Sequence, residues 1–466
     1  DGILTAEEIA LFHLKNTKMH RRNFIQQSGS LLAGTVLAGN AIANDSFLPV
    51  AKKRVAMVGT GVRGLGMWGK PVLEEFGEVV EFVGLCDINP GRVQTGKKFL
   101  GVNCNTYTDF DKMMQETKPD ALIVTTVDGT HHQFIIKGLQ YGAEIITEKP
   151  LTIDEQKCQS ILDAEEKAGK KIKVTFNYRY SPHRQKLYEL LRSGTIGELT
   201  SVDFHWYLDI HHGADYFRRW HRLRKNSGSL LVHKATHHFD LLNWWVGSEP
   251  EEVFAFGKLD VYGKNSSFRS DKCRGCSYKD SCKFFWDITN DQQLVQLYVD
   301  NEKYDGYLRD GCVFREDIDI FDQMAVQIKY ASKVQVSYSL TAFSPYEGYR
   351  IAFNGTKGRL EAWIKENQPW QESAYDEIQL THSFGQREII QVANNEGGHG
   401  GGDARLRKQI FKPDGQDPYR QAAGSRDGAM ACLIGIAARN SIDSGKPVMI
   451  GDLTTLKPKA ERPYGL

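Results

Sequence analysis

The residues Arg54-Val55-Ala56-Met57-Val58-Gly59-Thr60-Gly61-Val62-Arg63-Gly64 decide the fold of this chain. Residues 54–58 form a short apolar run of strand-forming side chains, and residues 59–64 have the spacing G-x-G-x-x-G ahead of a predicted helix. Such a glycine turn lets a pyrophosphate approach backbone N–H groups at a helix N-terminus. We therefore expect a dinucleotide to contact Gly59, Thr60, Gly61, Val62, Arg63 and Gly64.

A second predicted strand, residues 81–86, ends at Asp87. An acidic residue about twenty positions beyond the last glycine is where a carboxylate accepts hydrogen bonds from the ribose hydroxyls of NAD. A carboxylate there also repels a 2′-phosphate, so NAD is favoured over NADP. Arg92 lies close enough in sequence to weaken that preference.

The alternation of strands and helices continues along the chain. Residues 120–126 and 143–147 are predicted strands, and residues 134–139 between them are a predicted helix. Short connections between such elements favour a doubly wound parallel sheet, in which ligands lie over the C-terminal strand ends. The residues that this places at the cofactor crevice are Thr126, Asp128, His131, Glu148 and Lys149.

The composition favours small-molecule chemistry. The chain has 466 residues, with 59 basic against 58 acidic side chains and a formal net charge of +1. The length allows about two to four domains of ordinary size. The scattered Lys and Arg residues form no basic stripe for a nucleic-acid backbone, so no nucleic-acid partner is expected.

Residues 1–50 resemble an export signal preceded by an upstream extension. Arg21-Arg22 is followed by the small and apolar run 31–39, which is too short to span a membrane, and then by Ala41-Ile42-Ala43. Paired arginines are typical of twin-arginine signals, which export folded proteins. We expect a periplasmic protein cleaved near Ala43, without stable membrane insertion, that carries its cofactor with it. A buried N-terminal helix is the alternative.

Several motifs together resemble the Gfo/Idh/MocA family of oxidoreductases. The glycine loop and Asp87 are followed by T-x-D-x-x-H-H at residues 126–132 and by Glu148-Lys149-Pro150. Further matching segments are residues 177–180, 233–242 and 397–403. The resemblance implies a C-terminal α/β domain whose open, mostly antiparallel sheet serves substrate binding and oligomer contacts. It also implies a sugar or cyclitol substrate and a homodimer or homotetramer.

Patterning supports a second domain. Residues 324–330 and 334–340 alternate with period two and predict strands with one wet face, and residues 427–440 are apolar at helical spacing. We expect a dinucleotide-binding domain over residues 51–176. An α+β domain over residues 177–466 follows, with a Cys-rich insertion at 265–320.

The resemblance places the acid/base pair on Lys149 and His237. Oxidation of a carbinol carbon releases a hydride only as its O–H proton departs, which suits a histidine base and an ammonium that stabilises alkoxide. His238 is an alternative to His237. His233 stands where relatives commonly carry an acid, so it is a third catalytic candidate. His233 and His237 share a helix face and would bind substrate or, less favourably, a metal.

Candidate substrate-binding residues flank this histidine region. Arg179, Tyr180 and His183 follow a predicted strand end, and His238 and His399 lie in matching motifs. Additional histidines are His205, His211, His212 and His221. Nearby aromatic residues, including Trp206, Trp244 and Trp245, would either stack on sugar rings or belong to the core.

Four of the eight cysteines fall in the insertion. Cys273, Cys276, Cys282 and Cys312 suit a small structural metal site, either zinc or iron–sulfur. Two disulfides are the rival in an oxidising compartment. The remaining cysteines, 86, 104, 158 and 432, are predicted to be inert buried thiols.

These observations predict an exported oxidoreductase that moves a hydride between a tightly bound nicotinamide cofactor and a hydroxyl of a sugar or glycoside. A second hypothesis is an NAD-dependent glycoside hydrolase or lyase that works through transient C3 oxidation and elimination. A third is a non-catalytic sugar-binding protein.

Overall fold

A computed structural model describes residues 51–371, 373–394 and 397–463. The predicted export signal lies outside the described residues. The chain from Ala51 onward forms one compact unit, so the domain boundary after residue 176 stays a prediction. Within the described residues, no helix has the length and apolar character that crossing a membrane requires.

The first sheet has six parallel strands in the order β3-β2-β1-β4-β5-β6. Their bounds are Lys53–Val58 (β1), Val80–Cys86 (β2), Asn105–Tyr107 (β3), Ala121–Val124 (β4), Glu144–Thr147 (β5) and Ile172–Val174 (β6). Every residue of β4 is buried, because helices cover both faces of the sheet. The predicted doubly wound sheet is confirmed.

Helices connect these strands, with ends set by local chemistry. Asn89, Asp109 and Asp154 each accept a backbone N–H from the first turn of the helix they precede. The helices are Lys70–Phe76, Pro90–Leu100, Phe110–Thr117, His131–Gln140 and Glu155–Ala168. After the glycine loop, a wider π-helical turn at Gly64–Gly69 comes first. Regular bonding is interrupted there because Pro71 has no N–H to donate to Met67.

The second sheet has nine strands in the order β14-β13-β12-β11-β7-β10-β9-β8-β15. Their bounds are Leu199–Asp209 (β7), Pro250–Lys258 (β8), Gln323–Tyr330 (β9), Gln335–Ser344 (β10), Glu347–Gly355 (β11), Gly358–Asn367 (β12), Tyr375–His382 (β13), Arg387–Ala393 (β14) and Val448–Met449 (β15). The β7–β10 pairing is parallel and the others are antiparallel. β9 and β10 contain the two predicted strands, so the mostly antiparallel second sheet is confirmed.

The remaining helices are divided between the two sheets; Ile210–Arg218 and Ser425–Ser444 contact the second sheet, whereas Gln292–Leu297 and Gly402–Phe411 join the buried cluster of the first. They are Pro182–Arg192, Ile210–Arg218, Arg224–Ser227, Leu230–His233, Ala235–Val246, Gln292–Leu297, Glu302–Asp305, Gly402–Phe411 and Ser425–Ser444. All twelve residues of Ala235–Val246 are buried. Trp206, Trp244 and Trp245 are at most 1% exposed, so they belong to the core and do not offer sugar-stacking surfaces.

The C-terminal helix Ser425–Ser444 connects the two sheets. A Cβ on Gly435 would lie 2.3 Å from the carbonyl oxygen of Leu231, so the two backbones touch. About two turns earlier in the same helix, a Cβ on Gly428 would lie 2.9 Å from the side chain of Val174 in β6. The candidate functional site lies where the first and second sheets meet.

Candidate active site

The glycine loop sits against the end of β4. Gly59 has φ +93°, and a Cβ there would lie 2.6 Å from the carbonyl carbon and oxygen of Thr125. A Cβ on Gly64 would lie 2.3 Å from the oxygen of Gly59. Only glycine fits these positions, and the turn that results brings backbone N–H groups to the edge of the crevice. The loop therefore fits a dinucleotide.

Asp87 lies beside the glycine loop, and its carboxylate accepts four hydrogen bonds from neighbouring residues. Oδ2 accepts the backbone N–H of Thr60 at 2.8 Å and its hydroxyl at 3.1 Å. Oδ1 accepts the backbone N–H of Asn89 at 3.0 Å and Nε of Arg92 at 3.2 Å. Arg92 also pairs with Asp305 at 2.6 Å. The guanidinium is thus held between two carboxylates, which leaves it poorly placed to bind a 2′-phosphate.

Two predicted cofactor residues brace the turn that carries Lys149. Glu148 Oε1 accepts Nε of Arg63 at 2.6 Å and the indole N–H of Trp68 at 2.8 Å. The ring nitrogens of His131 lie 2.9 Å from the oxygen of Pro150 and 3.1 Å from the oxygen of Thr126. Burial lowers the pKa of His131, so one of these contacts is a hydrogen bond from a neutral ring. These contacts fix the position of Lys149.

Asp128, His233 and Lys149 form a chain of polar contacts. Oδ2 of Asp128 lies 2.5 Å from Nδ1 of His233, and Nε2 of His233 lies 3.5 Å from Nζ of Lys149. Lys149 also donates to the carbonyl oxygen of His233 at 2.8 Å. Burial, which disfavours charged forms, raises the pKa of Asp128, lowers that of His233 and lowers the pKa of Lys149 to about 7. A lysine in this state can exchange protons near neutral pH.

The resemblance implies an acid where His233 stands, and the structure places a carboxylate next to that histidine. Asp128, from the turn after β4, reaches His233 from 105 positions earlier in the chain. At this position the structure therefore shows a histidine–carboxylate pair. Proximity in the fold, which spacing along the sequence does not reveal, creates this pair.

His237 lies on the buried helix Ala235–Val246, with its ring stacked on Tyr178 at 4.1 Å between centroids. Its Nδ1 is buried and has no hydrogen-bond partner. Burial, followed by the charges of Lys149 and Lys234, holds its pKa well below the usual value, so the ring is neutral at neutral pH. A neutral ring is competent to accept a proton.

Lys234 and Tyr178 were not singled out from the sequence, although both stand in the matching motifs. Lys234 Nζ donates to the Tyr178 hydroxyl at 3.0 Å and lies 3.6 Å from Oε1 of Glu347. Its pKa is raised by Tyr178, Tyr216 and Glu347 against the opposing effect of burial. Lys234 therefore remains positively charged beside His237. Its position in the matching segment 233–242 is the sequence feature from which it could have been identified.

A cavity of about 400 Å³ is lined by two of the predicted substrate residues, His183 and His399. His183 lies 3.1 Å from a carboxylate oxygen of Asp376, and His399 lies 3.0 Å from Asp403. The rings of His399 and His237 are 6.5 Å apart. Other lining residues with charged or aromatic side chains are Arg184, Glu347, Lys365, Glu366, Trp370 and Tyr375. The cavity has the size and mixed polarity of a small-molecule site.

The other three predicted substrate residues lie in the interior instead. Arg179 has no exposed surface, and its guanidinium is bound to both oxygens of Asp240. His238 is fully buried, 2.6 Å from the Tyr338 hydroxyl, and Tyr180 packs in the core of the first sheet. A buried guanidinium requires a carboxylate partner, and Asp240 occupies the position that a substrate would need.

The predicted metal pair His233 and His237 is not supported. In the described part of the chain, a single group of three potential ligands has all its ligand atoms within 4.8 Å of one another, namely Asp209, His212 and Glu347. There Nδ1 of His212 bonds Glu347 at 2.7 Å, and Asp209 caps the helix Ile210–Arg218. Hydrogen bonds within the protein account for this group.

The eight cysteines, all within the described ranges, are free thiols. Cys273 Sγ accepts Nη1 of Arg218 at 3.1 Å, and Cys312 Sγ accepts the N–H of Phe314 at 3.4 Å. Zinc–sulfur bonds of about 2.3 Å place tetrahedral thiolates about 4 Å apart. No three thiols approach that closely, so neither the zinc site nor the disulfides are assembled. Among the other cysteines, Cys86, Cys158 and Cys432 are buried and Cys104 is half-buried.

Comparison with known proteins connects this geometry to a family. Residues 53–176 match the oxidoreductase family's NAD-binding Rossmann fold, and residues 188–450 match its C-terminal α/β domain. The chain is 39% identical over 423 residues to the protein named oxidoreductase YteT in Bacillus subtilis (strain 168), across 86% of this chain and 98% of that protein.

More distant similarities agree with this assignment. An inositol 2-dehydrogenase/D-chiro-inositol 3-dehydrogenase of Lactiplantibacillus plantarum is 24% identical over 200 residues, which are 42% of this chain and 54% of that enzyme. The solved structure of an aldose-aldose oxidoreductase from Caulobacter crescentus, complexed with glycerol, shares the fold. Its TM-score is 0.58 at 17% identity, with 85% of this chain and 99% of that chain covered. The glycine loop, the Lys149 turn and these matches establish that the chain belongs to the Gfo/Idh/MocA family of NAD-binding oxidoreductases.

Proposed function

We propose that this protein transfers a hydride between a tightly held NAD and a hydroxyl-bearing carbon of a sugar or glycoside. The observation that carries the proposal is the chain of contacts Asp128–His233–Lys149. The ring of His237 lies 6.5 Å from that of His399, which lines the cavity. A nicotinamide bound over these strand ends would accept the hydride.

The side chains would manage the proton that accompanies the hydride. With a pKa of about 7, Lys149 is partly a neutral amine at neutral pH and can accept the substrate O–H proton. Nε2 of His233 lies 3.5 Å away and can take that proton onward, while Asp128 holds the opposite ring nitrogen. The Lys234 charge and the neutral His237 would stabilise the oxygen that develops negative charge.

The substrate class is supported by the relatives and the cavity together. One relative is named an inositol dehydrogenase, and a structural neighbour is named an aldose-aldose oxidoreductase. Polyols and sugars need many directed hydrogen bonds, and the cavity offers the pairs His183–Asp376 and His399–Asp403. Arg92, held between Asp87 and Asp305, supports NAD over NADP.

A second candidate is glycoside cleavage through transient oxidation. Oxidation at C3 acidifies the C2 proton; loss of that proton expels the aglycone from C1, water then adds, and the hydride returns to C3. This route needs acid/base groups beyond the oxidation pair. The His399–Asp403 pair, beside the cavity, is the observation that favours it.

One experiment separates these activities. The purified protein, without added cofactor, would be incubated with methyl and aryl glycosides in heavy water and followed by NMR. A keto-sugar that forms together with stoichiometric bound NADH, and without aglycone release, supports the dehydrogenase. Free sugar carrying deuterium at C2 supports cleavage and overturns the first proposal. Binding without any product would favour the non-catalytic alternative.

Export, oligomerisation and the thiol cluster complete the proposal. We infer that residues 1–50 direct folded export to the periplasm, supported by Arg21-Arg22 and Ala41-Ile42-Ala43. Cell fractionation after Arg21→Lys/Arg22→Lys substitution tests this, because an exported protein would then remain in the cytoplasm.

The dimer or tetramer would use the outer face of the second sheet, and light scattering measures its mass.

We also propose that the four insertion thiols bind a structural metal centre. N–H groups of Arg218 and Phe314 donate hydrogen bonds to the sulfurs of Cys273 and Cys312. Such N–H donors would stabilise the thiolate form that binds a metal. Zinc and an iron–sulfur cluster are both held by cysteine thiolates, so both are candidates. Elemental analysis and the visible absorption spectrum test this proposal; protein that contains neither zinc nor iron would refute it.

A further inference from the structure

The Cys-rich insertion leaves the second sheet after β8, and part of it packs on the first sheet. We call residues 292–309 the cover segment; it contains the short helices Gln292–Leu297 and Glu302–Asp305. Leu297 is 2% exposed and belongs to the buried cluster of the first sheet, with Leu65 and Leu100. A segment inserted between β8 and β9 of the second sheet thus packs on the first sheet.

Tyr298 touches the glycine loop itself. Its hydroxyl oxygen accepts the backbone N–H of Val62 at 3.0 Å, and a Cβ on Gly61 would lie 3.1 Å from the same oxygen. The Val62 N–H belongs to the G-x-G-x-x-G turn, whose N–H groups bind pyrophosphate. A phenol accepts and donates at once, so the Tyr298 proton is free to be given to a phosphate oxygen.

The cover segment is also fastened at the ribose edge. Asn89 Nδ2 donates to the carbonyl oxygen of Asn301 at 2.9 Å, and Arg92 pairs with Asp305 at 2.6 Å. A Cβ on Gly91 would lie 1.8 Å from Oδ1 of Asn301, so this close approach depends on glycine. Asn89 and Arg92 stand directly after Asp87, the predicted ribose ligand.

The far end of the segment reaches the histidine region. Arg309 pairs with Asp215 at 2.7 Å, and its charge contributes to the lowered pKa of His221, after the larger effects of burial, His233, Arg219 and Lys149. The ring of His221 lies 4.2 Å from that of His233. The cover segment therefore extends from the glycine loop to the proposed catalytic groups, along the path that a dinucleotide takes across the strand ends.

We propose that the cover segment retains the bound dinucleotide, with Tyr298 and Asp305 as cofactor-positioning residues supplied by the insertion. Because contacts at both ends hold the segment against the first sheet, the cofactor leaves only when these contacts break. This inference rests on the proposed function only in taking NAD as the ligand. It explains how a cofactor would stay bound through many turnovers and through export.

Release of NADH from the full-length protein tests the proposal. Protein loaded with NADH would be mixed with excess NAD⁺, and the loss of bound-NADH fluorescence gives the dissociation rate. Tyr298→Phe and Asp305→Asn should each speed release about tenfold, since each removes a hydrogen bond that holds the segment or the phosphate. Tyr304→Phe is the matched control, because Tyr304 is in the same segment and 51% exposed; its rate should equal that of the wild type. If Tyr298→Phe and Asp305→Asn release NADH no faster than Tyr304→Phe does, the proposal is overturned.

Hydrogen exchange on the unmodified protein provides a test that needs no variant. Addition of NAD⁺ to protein stripped of its bound cofactor should slow amide exchange both in residues 59–64 and in the cover segment. Slowed exchange in residues 59–64 alone overturns the retention role and leaves the proposed oxidoreductase intact. Unchanged exchange in both regions means that NAD⁺ does not bind, which refutes the proposed function as well.

Discussion

At the scale of single residues, Lys149 is the group on which the proposed hydride transfer depends most. Lys149→Ala should slow reduction of bound NAD by about 10²–10⁴-fold, the usual contribution of a positioned acid/base group. Single-turnover absorbance of NADH measures this, with cofactor content as the check on folding. Lys112→Ala, at a lysine with a 63% exposed side chain, is the control and should leave the rate unchanged. An undiminished rate in Lys149→Ala would show that Lys149 is not the proton acceptor.

The pKa of Lys149 fixes the pH dependence of oxidation. In the proposed mechanism the neutral amine accepts the proton, so the oxidation rate should rise with pH through about 7 and then level off. The negative charge of Asp128 raises the pKa of Lys149 against the lowering effect of burial. Asp128→Asn should therefore move the inflection to lower pH. Asp111→Asn, a surface change, should leave the profile in place; a profile insensitive to Asp128 would contradict the relay.

Part of this site was predictable from single residues and part was not. Lys149, His233, His237, His183 and His399 were named from motifs, and the structure brings them to one region. Arg179 and His238 came from the same motifs but point into the core. A motif gives the position of a residue along the chain, whereas the direction of its side chain depends on partners such as Asp240 and Tyr338, which are distant in sequence.

At the scale of elements, the helix Ser425–Ser444 depends on one glycine. Gly435→Ala would place a methyl group 2.3 Å from the backbone oxygen of Leu231, which cannot move without shifting its own helix. We expect a loss of about 1–3 kcal/mol in the free energy of unfolding, as for other overpacked cores. Urea denaturation measures it.

Gly66→Ala is the matched control for this substitution, because Gly66 is also helical and a Cβ there meets nothing within 4 Å. Its free energy of unfolding should stay equal to that of the wild type or rise slightly, since alanine is the better helix former. If both variants lose the same stability, the close contact at Gly435 is not the cause.

Periodicity revealed most of the elements. Alternation predicted β9 and β10, and the apolar spacing over residues 427–440 fell within the helix Ser425–Ser444. The π-helical turn at Gly64–Gly69 was missed, since it depends on the missing N–H of Pro71 and not on an apolar pattern. The docking of residues 292–309 on the first sheet was also missed, because long-range packing leaves no periodic trace in a short polar segment.

At the scale of the whole molecule, the two sheets share one core cluster that runs from β4 to β12 through the helix Ser425–Ser444. We therefore expect the described part of the chain to unfold in one cooperative transition. Calorimetry should show a single peak for residues 51–466, and NAD⁺ should raise its midpoint as a whole by mass action. Two resolved peaks, with only one shifted by NAD⁺, would show that the sheets unfold independently.

Because the helix Ala235–Val246 is buried, the residues proposed to transfer the proton lie apart from the residues that form the cavity wall. His237 sits on a helix with no exposed residue, so a substitution there disturbs the core as well as the chemistry. The cavity wall is built differently, because Lys365, Trp370 and Tyr375 come from the ends of β12 and β13 and their connection, where side chains are partly open to water. Substrate preference can therefore change by substitutions in that hairpin while the proton-handling groups stay fixed. Libraries designed to change the substrate preference proposed for this protein therefore belong in residues 365–376.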